Sequence, residues 1–246
     1  MDSGAYAVCT ALMGRTDALE VVANNLANTN TTGYRAHHNV FRSVLAQSSN
    51  APSSALNRAT NDYGILAGNR LDLSQGRLEK TDNDYDFAIE GPGYFVIQTP
   101  AGVRFTRNGN FQVSAQGQLM TAQGDPVMGD NGVIQIVDTP ITVSADGTIS
   151  ANGAIAGQLK MVEFPPTVSL QSVGNNYYSA PTQSDQPAVN SQVRQGTLEG
   201  SNVDPIESMV ELINLQRFAE MSQRALSTFH NDFDKTATED LPRVNS

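Results

Sequence analysis

The sequence predicts an α+β protein in which N- and C-terminal amphipathic helices form a coiled-coil-like helical region around an all-β central module, with an extended arm between. Two observations carry this. Near each chain end apolar residues recur at alternating steps of three and four, the spacing of one helix face. Between Asp86 and Phe164 the period changes to two, and Gly-containing turns come at short intervals.

The first helix spans about Ser3 to Ala27, with Ala5, Val8, Leu12, Thr16, Leu19, Ala23 and Leu26 on its stripe and Arg15, Asp17, Glu20 and Asn24 off it. It runs into Asn24, Asn25, Asn28, Thr29, Asn30, Thr31, Thr32 and Gly33, residues that bond helix-end backbone groups or enter left-handed conformations cheaply. A helix therefore ends here in a polar corner. Val40, Phe41, Val44 and Leu45 then suggest a short helical continuation. From Gln47 the chain is polar and too long for a plain loop in a compact domain, so 47–85 is expected to be an extended arm or partly disordered.

In the middle, DFAIEGPGYFVIQT reads as two strands folded about Gly91-Pro92-Gly93, and VRFTRNGNFQVSAQGQLMT as strands punctuated by Asn108-Gly109 and Gly117. Turns at Gly124, Gly132, Gly147 and Gly153 continue the pattern, and Phe87, Ile89, Phe95, Ile97, Phe105, Phe111, Leu119, Val133, Ile136 and Leu159 are the expected core. Tyr177 to Gln195 reads as polar chain. A last helix should start at Pro205, with Asp204 as N-cap and Glu207 three residues on as in a capping box. Ile206, Val210, Ile213, Phe218, Met221, Ala225 and Phe229 keep it amphipathic up to a polar tail from Asp234. The expected organisation is an axial region of 1–46 with 197–240, an arm over 47–85, a β-rich module over 86–196, and a C-terminal helix and tail over 197–246.

Composition narrows the function. Fifteen basic against 25 acidic residues give a net charge of −10, which repels phosphate backbones and argues against nucleic acid. No stretch approaches the roughly 20 apolar residues needed to span a bilayer, and MDSGAYAVCT lacks the basic and apolar regions of a cleaved leader, so neither membrane insertion nor signal-peptide removal is expected. Cys9 is single and sits where a packed thiol fits. His37, His38 and His230 have no zinc spacing with it, and no serine stands in a G-x-S-x-G turn. Asp82, Asp84 and Asp86 mimic the first ligands of a calcium loop, but Phe87 and Gly93 stand where Gly and Glu are required. No catalytic residue, metal or cofactor is expected.

Three stretches resemble one family. NNLANTNTTGYR, AIEGPGYF with FTRNGNF, and LEGSNVDPIESMVELINLQRFAE are similar to the N-terminal, central and C-terminal signatures of the bacterial flagellar basal-body rod and hook family. The first is carried by Asn24, Asn25, Leu26, Ala27, Asn28, Thr32, Gly33, Tyr34 and Arg35, the last by Leu198, Glu199, Ser201, Asn202, Val203, Arg217, Phe218 and Glu220. The resemblance implies a structural rod subunit, most like proximal rod members with distal rod members as the alternative. Such a subunit is exported uncleaved by the flagellar type III machinery and polymerises with itself and with other rod subunits. It implies an assembly interface of Leu12, Leu19, Asn24, Asn25, Leu26, Asn28, Gly33 and Tyr34 from the first end. From the second end it adds Asn202, Val203, Ile206, Val210, Ile213, Phe218, Met221 and Phe229. A reading from another class, a secreted all-β ligand-binding module, would need exposed aromatics around one pocket.

Overall fold

A computed structural model describes residues 2–42, 65–136, 140–181 and 184–235. Among the described residues two helices, α1 (Asp2–Ala27) and α2 (Pro205–Lys235), come before and after a β-rich stretch of the chain. In chain order the strands are β1 (His37–Arg42), β2 (Ile65–Leu71), β3 (Leu78–Lys80), β4 (Phe87–Glu90), β5 (Tyr94–Thr99), β6 (Gly102–Thr106), β7 (Phe111–Val113), β8 (Leu119–Thr121), β9 (Met128–Gly129) and β10 (Gly132–Val133). There follow β11 (Ile141–Val143), β12 (Thr148–Ala151), β13 (Ala154–Gln158), β14 (Met161–Glu163), β15 (Gln171–Ser172), β16 (Tyr177–Ser179), β17 (Gln186–Pro187), β18 (Gln192–Gln195) and β19 (Thr197–Glu199). The α+β class is thus as expected.

The chain divides into a helical unit (Met1–Leu26, His37–Arg70 and Asp204–Ser246) and a β unit (Ala27–Ala36 and Leu71–Val203). The polar corner belongs to the β unit. Within the helical unit β1 pairs β2, so Val40 and Phe41 lie in a strand, not in a continuation of the helix. β-branched Val40 and aromatic Phe41 suit a strand, and β2 supplies the hydrogen-bonding partner that local periodicity could not reveal. Val44 and Leu45 lie outside the described residues. Of the expected arm, Ile65 onward forms β2 and β3.

In the β unit a six-stranded sheet has the order β15-β16-β6-β5-β14-β17. β5 is buried on both faces and sorts its side chains by parity. Phe95 and Ile97 enter the main core with Phe87, Ile89, Phe111, Leu119, Ile149 and Leu159, while Tyr94 and Val96 enter a second core with Phe105, Val162, Leu170 and Tyr178. Ring edges lock both, with Phe95 and Phe111 centroids at 5.2 Å and Phe105 and Phe164 at 4.8 Å. Fully burying one such side chain contributes on the order of 1.5–3 kcal/mol.

Four expectations are corrected. β4 and β5 do not form a hairpin about Gly91-Pro92-Gly93: β4 pairs β18, Ile89 opposite Val193, and β5 pairs β6 and β14. Val133 is 37% exposed, and Ile134 is buried in its place, because the β9–β10 hairpin through Gly132 sets Val133 opposite Met128 and points the next residue inward. The stretch from Tyr177 to Gln195 is not plain polar chain. It supplies β16, β17 and β18, whose Tyr177, Tyr178 and Val193 are core residues standing among polar neighbours. Thr16 and Ala23 of the α1 stripe are exposed; Ala18 and Val22 are buried instead, since they are the positions that cluster with Leu215 of α2.

Candidate functional site

Asp204 begins α2 as the sequence predicts, its Oδ1 accepting from the Ile206 and Glu207 amides at 2.8 and 3.1 Å. One face of α2 then packs on α1. Leu215 is buried with Ala18 and Val22, Leu19 and Leu212 pack around them, and the Arg15 guanidinium lies 4.8 Å from the Phe218 ring centroid. The other face has no cover within the unit: Ile206 is 75%, Val210 55%, Ile213 45% and Met221 60% exposed. These four follow heptad-like spacing along one stripe.

At the end of α1, Asn25 is 6% exposed and acts as an extra rung of backbone. Its Nδ2 donates to the His37 carbonyl at 2.8 Å and its Oδ1 accepts from the His37 amide at 2.9 Å. Leu12, Leu19 and Leu26 are half-buried and Asn24 is exposed. His37 is held below the usual imidazole range by burial and by its neighbour His38. The Phe229 side chain lies outside the described residues.

The remaining predicted residues meet in the β unit. Asn28 accepts from the Thr31 hydroxyl and amide at 3.0 and 3.1 Å, closing the corner. Gly33 follows with φ +69°; a Cβ there would stand 2.4 Å from the Asn108 backbone nitrogen. Its amide donates to the Glu199 carbonyl at 2.7 Å. Asn202 Oδ1 accepts from the Ala36 amide at 2.7 Å, while its Nδ2 donates to the Asp72 and Ser74 carbonyls at 3.1 and 3.0 Å. Tyr34 is buried, which pushes its hydroxyl up to about 12, and Val203 is half-buried.

Between these segments lies a charge cluster that sequence reasoning did not single out. Glu199 is fully buried between Arg35, whose Nη2 lies 2.7 Å from Glu199 Oε1, and Arg107, whose Nη1 lies 3.1 Å from Oε2. Glu199 Oε1 also accepts from the Gly76 amide at 2.9 Å. Arg35 donates further to the Ser74 carbonyl, and Arg107 to the Gly91 carbonyl at 2.6 Å. Burial pulls the Arg107 guanidinium below the usual arginine range; Glu199 opposes this and Arg35 reinforces it. One signal was available in the sequence. Arg107 shares the parity of Phe105 in a period-two stretch, so it must point inward, and its guanidinium sits 4.8 Å from the Tyr94 ring centroid.

Asp86, the third residue of the failed calcium pattern, is 4% exposed and accepts from Thr81 Oγ1 and Asn110 Nδ2. It ties a strand entry. Among the described residues there is no group of three or more His, Cys, Asp or Glu placed to hold a metal, and no helix is long and apolar enough to cross a membrane.

An apolar stripe thus stays exposed along α2, and the segments after α1 and before α2 are bonded into the β unit. Comparison with known proteins agrees at all three signatures: residues 6–35 match the flagella basal body rod protein model, 88–151 the flagellar hook protein FlgE/F/G D1 domain, and 194–239 the flagellar basal body rod FlgEFG protein C-terminal model. The flagellar basal-body rod protein FlgF of Caulobacter vibrioides is 32% identical over 250 residues, covering 100% of both chains. That of Salmonella typhimurium is 34% identical, over 93% of this chain and 94% of its own. The rod protein FlgG of Agrobacterium fabrum is 34% identical, over 85% of this chain and 88% of its own. This chain belongs to the flagellar basal-body rod protein family, and within it is FlgF-like. It is a structural subunit of the rod, a class that assembles with other rod subunits and is not an enzyme class.

Proposed function

We propose that the chain is a proximal-rod subunit that polymerises through α1 and α2 with copies of itself and with other rod subunits, helping to form the drive shaft for motility. The observation that carries this is the stripe of Ile206, Val210, Ile213 and Met221, between 45% and 75% exposed while the opposite face of α2 is engaged by α1. A heterologous contact along such a stripe builds a helical polymer when its rotation does not close into a ring. The helical region becomes coiled-coil-like when neighbours cover it. The alignments over 93% and 100% of this chain with FlgF, against 85% with FlgG, favour the proximal over the distal rod.

The route is export through the flagellar type III machinery into the periplasmic space with the N-terminus uncleaved. Ala18 and Val22 of α1 support it, since removal of the first helix would take away two of the three residues of the buried cluster in the helical unit. A secreted ligand-binding module is disfavoured because Tyr94, Phe95 and Phe105 lie inside the two cores. The test is Ile206→Ser with Val210→Ser. Both positions are exposed, so monomer stability should change by no more than roughly 0.5 kcal/mol each, while rod elongation and swimming fail. A double variant that swims and builds rods of normal length would overturn the reading.

A further inference from the structure

We propose that Glu199 is the closing latch of the β unit, which stays open around its two inner arginines until the segment from Ser191 to Asn202 brings this one carboxylate into place. The unit contains two kinds of contact. Hairpins such as β5–β6 and β7–β8 join strands that follow one another in the chain and bring Phe95, Ile97, Phe111 and Leu119 into the main core, to which the late segment adds only Val193, opposite Ile89. The latch contacts instead join residues 92, 123 and 166 positions apart: Arg107 to Glu199, Gly76 to Glu199, and Ala36 to Asn202. Loop closure is costlier for these, so on topology alone they form late.

Charge sharpens the delay. Arg35 and Arg107 are 0% and 1% exposed, and removing a guanidinium from water before its counter-ion arrives is strongly unfavourable. The cluster holds two positive charges and one negative, and among the described residues Arg35 Nε and Arg107 Nε have no hydrogen-bond partner. Backbone carbonyls of Ser74, Ile89 and Gly91 take other donors, but they carry no charge to replace the carboxylate. Glu199 therefore has no substitute. A chain produced from its N-terminus delivers Glu199 only six residues before the first turn of α2 at Pro205. Closure of the β unit and arrival of the second helix become nearly one event, and an incomplete chain does not yet offer a finished subunit. The benefit for assembly rests on the rod reading; the folding order does not.

The test is pulse-labelled hydrogen exchange during refolding of the full chain from denaturant. Amides of Phe95, Ile97 and Leu119 should become protected first. Those of Gly33, Gly76 and Gly200, which donate to the Glu199 carbonyl, the Glu199 carboxylate and the Arg77 carbonyl, should follow at least tenfold more slowly. Glu199→Gln should leave the early rate within twofold and slow the late one a further tenfold or leave those three amides unprotected. Arg35→Met with Arg107→Met and Glu199→Leu removes the charges, so the interval between the phases should shrink. The proposal is overturned by one common phase in the unaltered protein, by equal slowing of both phases in Glu199→Gln, or by an unchanged interval in the triple variant. Failure of rod assembly would leave all these rates untouched, so the two readings fail separately.

Discussion

Replacing Gly33 by alanine should destabilise the β unit, and the cost can be built from two parts. Gly33 holds φ +69°, where an L-residue costs roughly 1–2 kcal/mol. The added Cβ would also stand 2.4, 2.6 and 2.8 Å from Asn108 N, Arg107 C and Asn108 Cα, all backbone atoms that cannot swing away. Relief requires moving the corner from Arg107, which disturbs the 2.7 Å bond from the Gly33 amide to the Glu199 carbonyl, worth about 1 kcal/mol, and strains the buried ion cluster. Together these come to roughly 3–5 kcal/mol. Gly124→Ala is the matched control, since Gly124 has φ +89° with nothing within 4 Å of its would-be Cβ. It should lose about 1–2 kcal/mol only. At roughly 2–4 °C per kcal/mol for a unit of this size, calorimetry should place Gly124→Ala a few degrees below the parent, and Gly33→Ala some two to three times further down. Equal shifts in the two variants would refute the close approach of the corner to Asn108. An effect of Gly33→Ala on polymerisation with no change in melting would do so as well.

Burial pushes the Tyr34 and Tyr177 hydroxyls up to about 12, against about 10 in the unfolded chain. The folded protein therefore binds more protons between these values, so stability is intact below pH 10 and falls as pH rises toward 12, by up to roughly 2.7 kcal/mol per tyrosine. Chemical denaturation at pH 9 and 11 reads it; a flat profile would contradict the burial of both hydroxyls. Asp204→Ala removes the acceptor of the Ile206 and Glu207 amides and should cost α2 about 0.5–2 kcal/mol, seen as lost helical circular dichroism with the β-unit transition unmoved. Phe95→Ala should lower that transition by about 3–5 kcal/mol, because Phe95 is fully buried in the main core.

Elements whose causes are local were legible in the chain alone. Asp204 and Pro205 start α2 because a cap needs only its own next three residues, and the glycines at 117, 124, 132, 147 and 153 turn where they were expected, all at positive φ. Period-two alternation identified most of the main core, Phe87 to Leu159. Tertiary structure decided everything that depends on a distant partner. Whether β4 pairs β5 or β18 is a choice between chains that look alike locally. So is the fate of Val40 and Phe41, which a strand partner and not a helical turn satisfies. Gly33 shows the division most clearly. Its conformation was legible in the corner sequence, but its place in the β unit was not, because that follows from Asn108 and Glu199 arriving from 75 and 166 residues along the chain. The three signatures could be seen separately as words in the sequence. That Arg35, Arg107 and Glu199, one from each, share a single buried charge site is a property of the fold alone, since no local pattern specifies which ions will lose their water together.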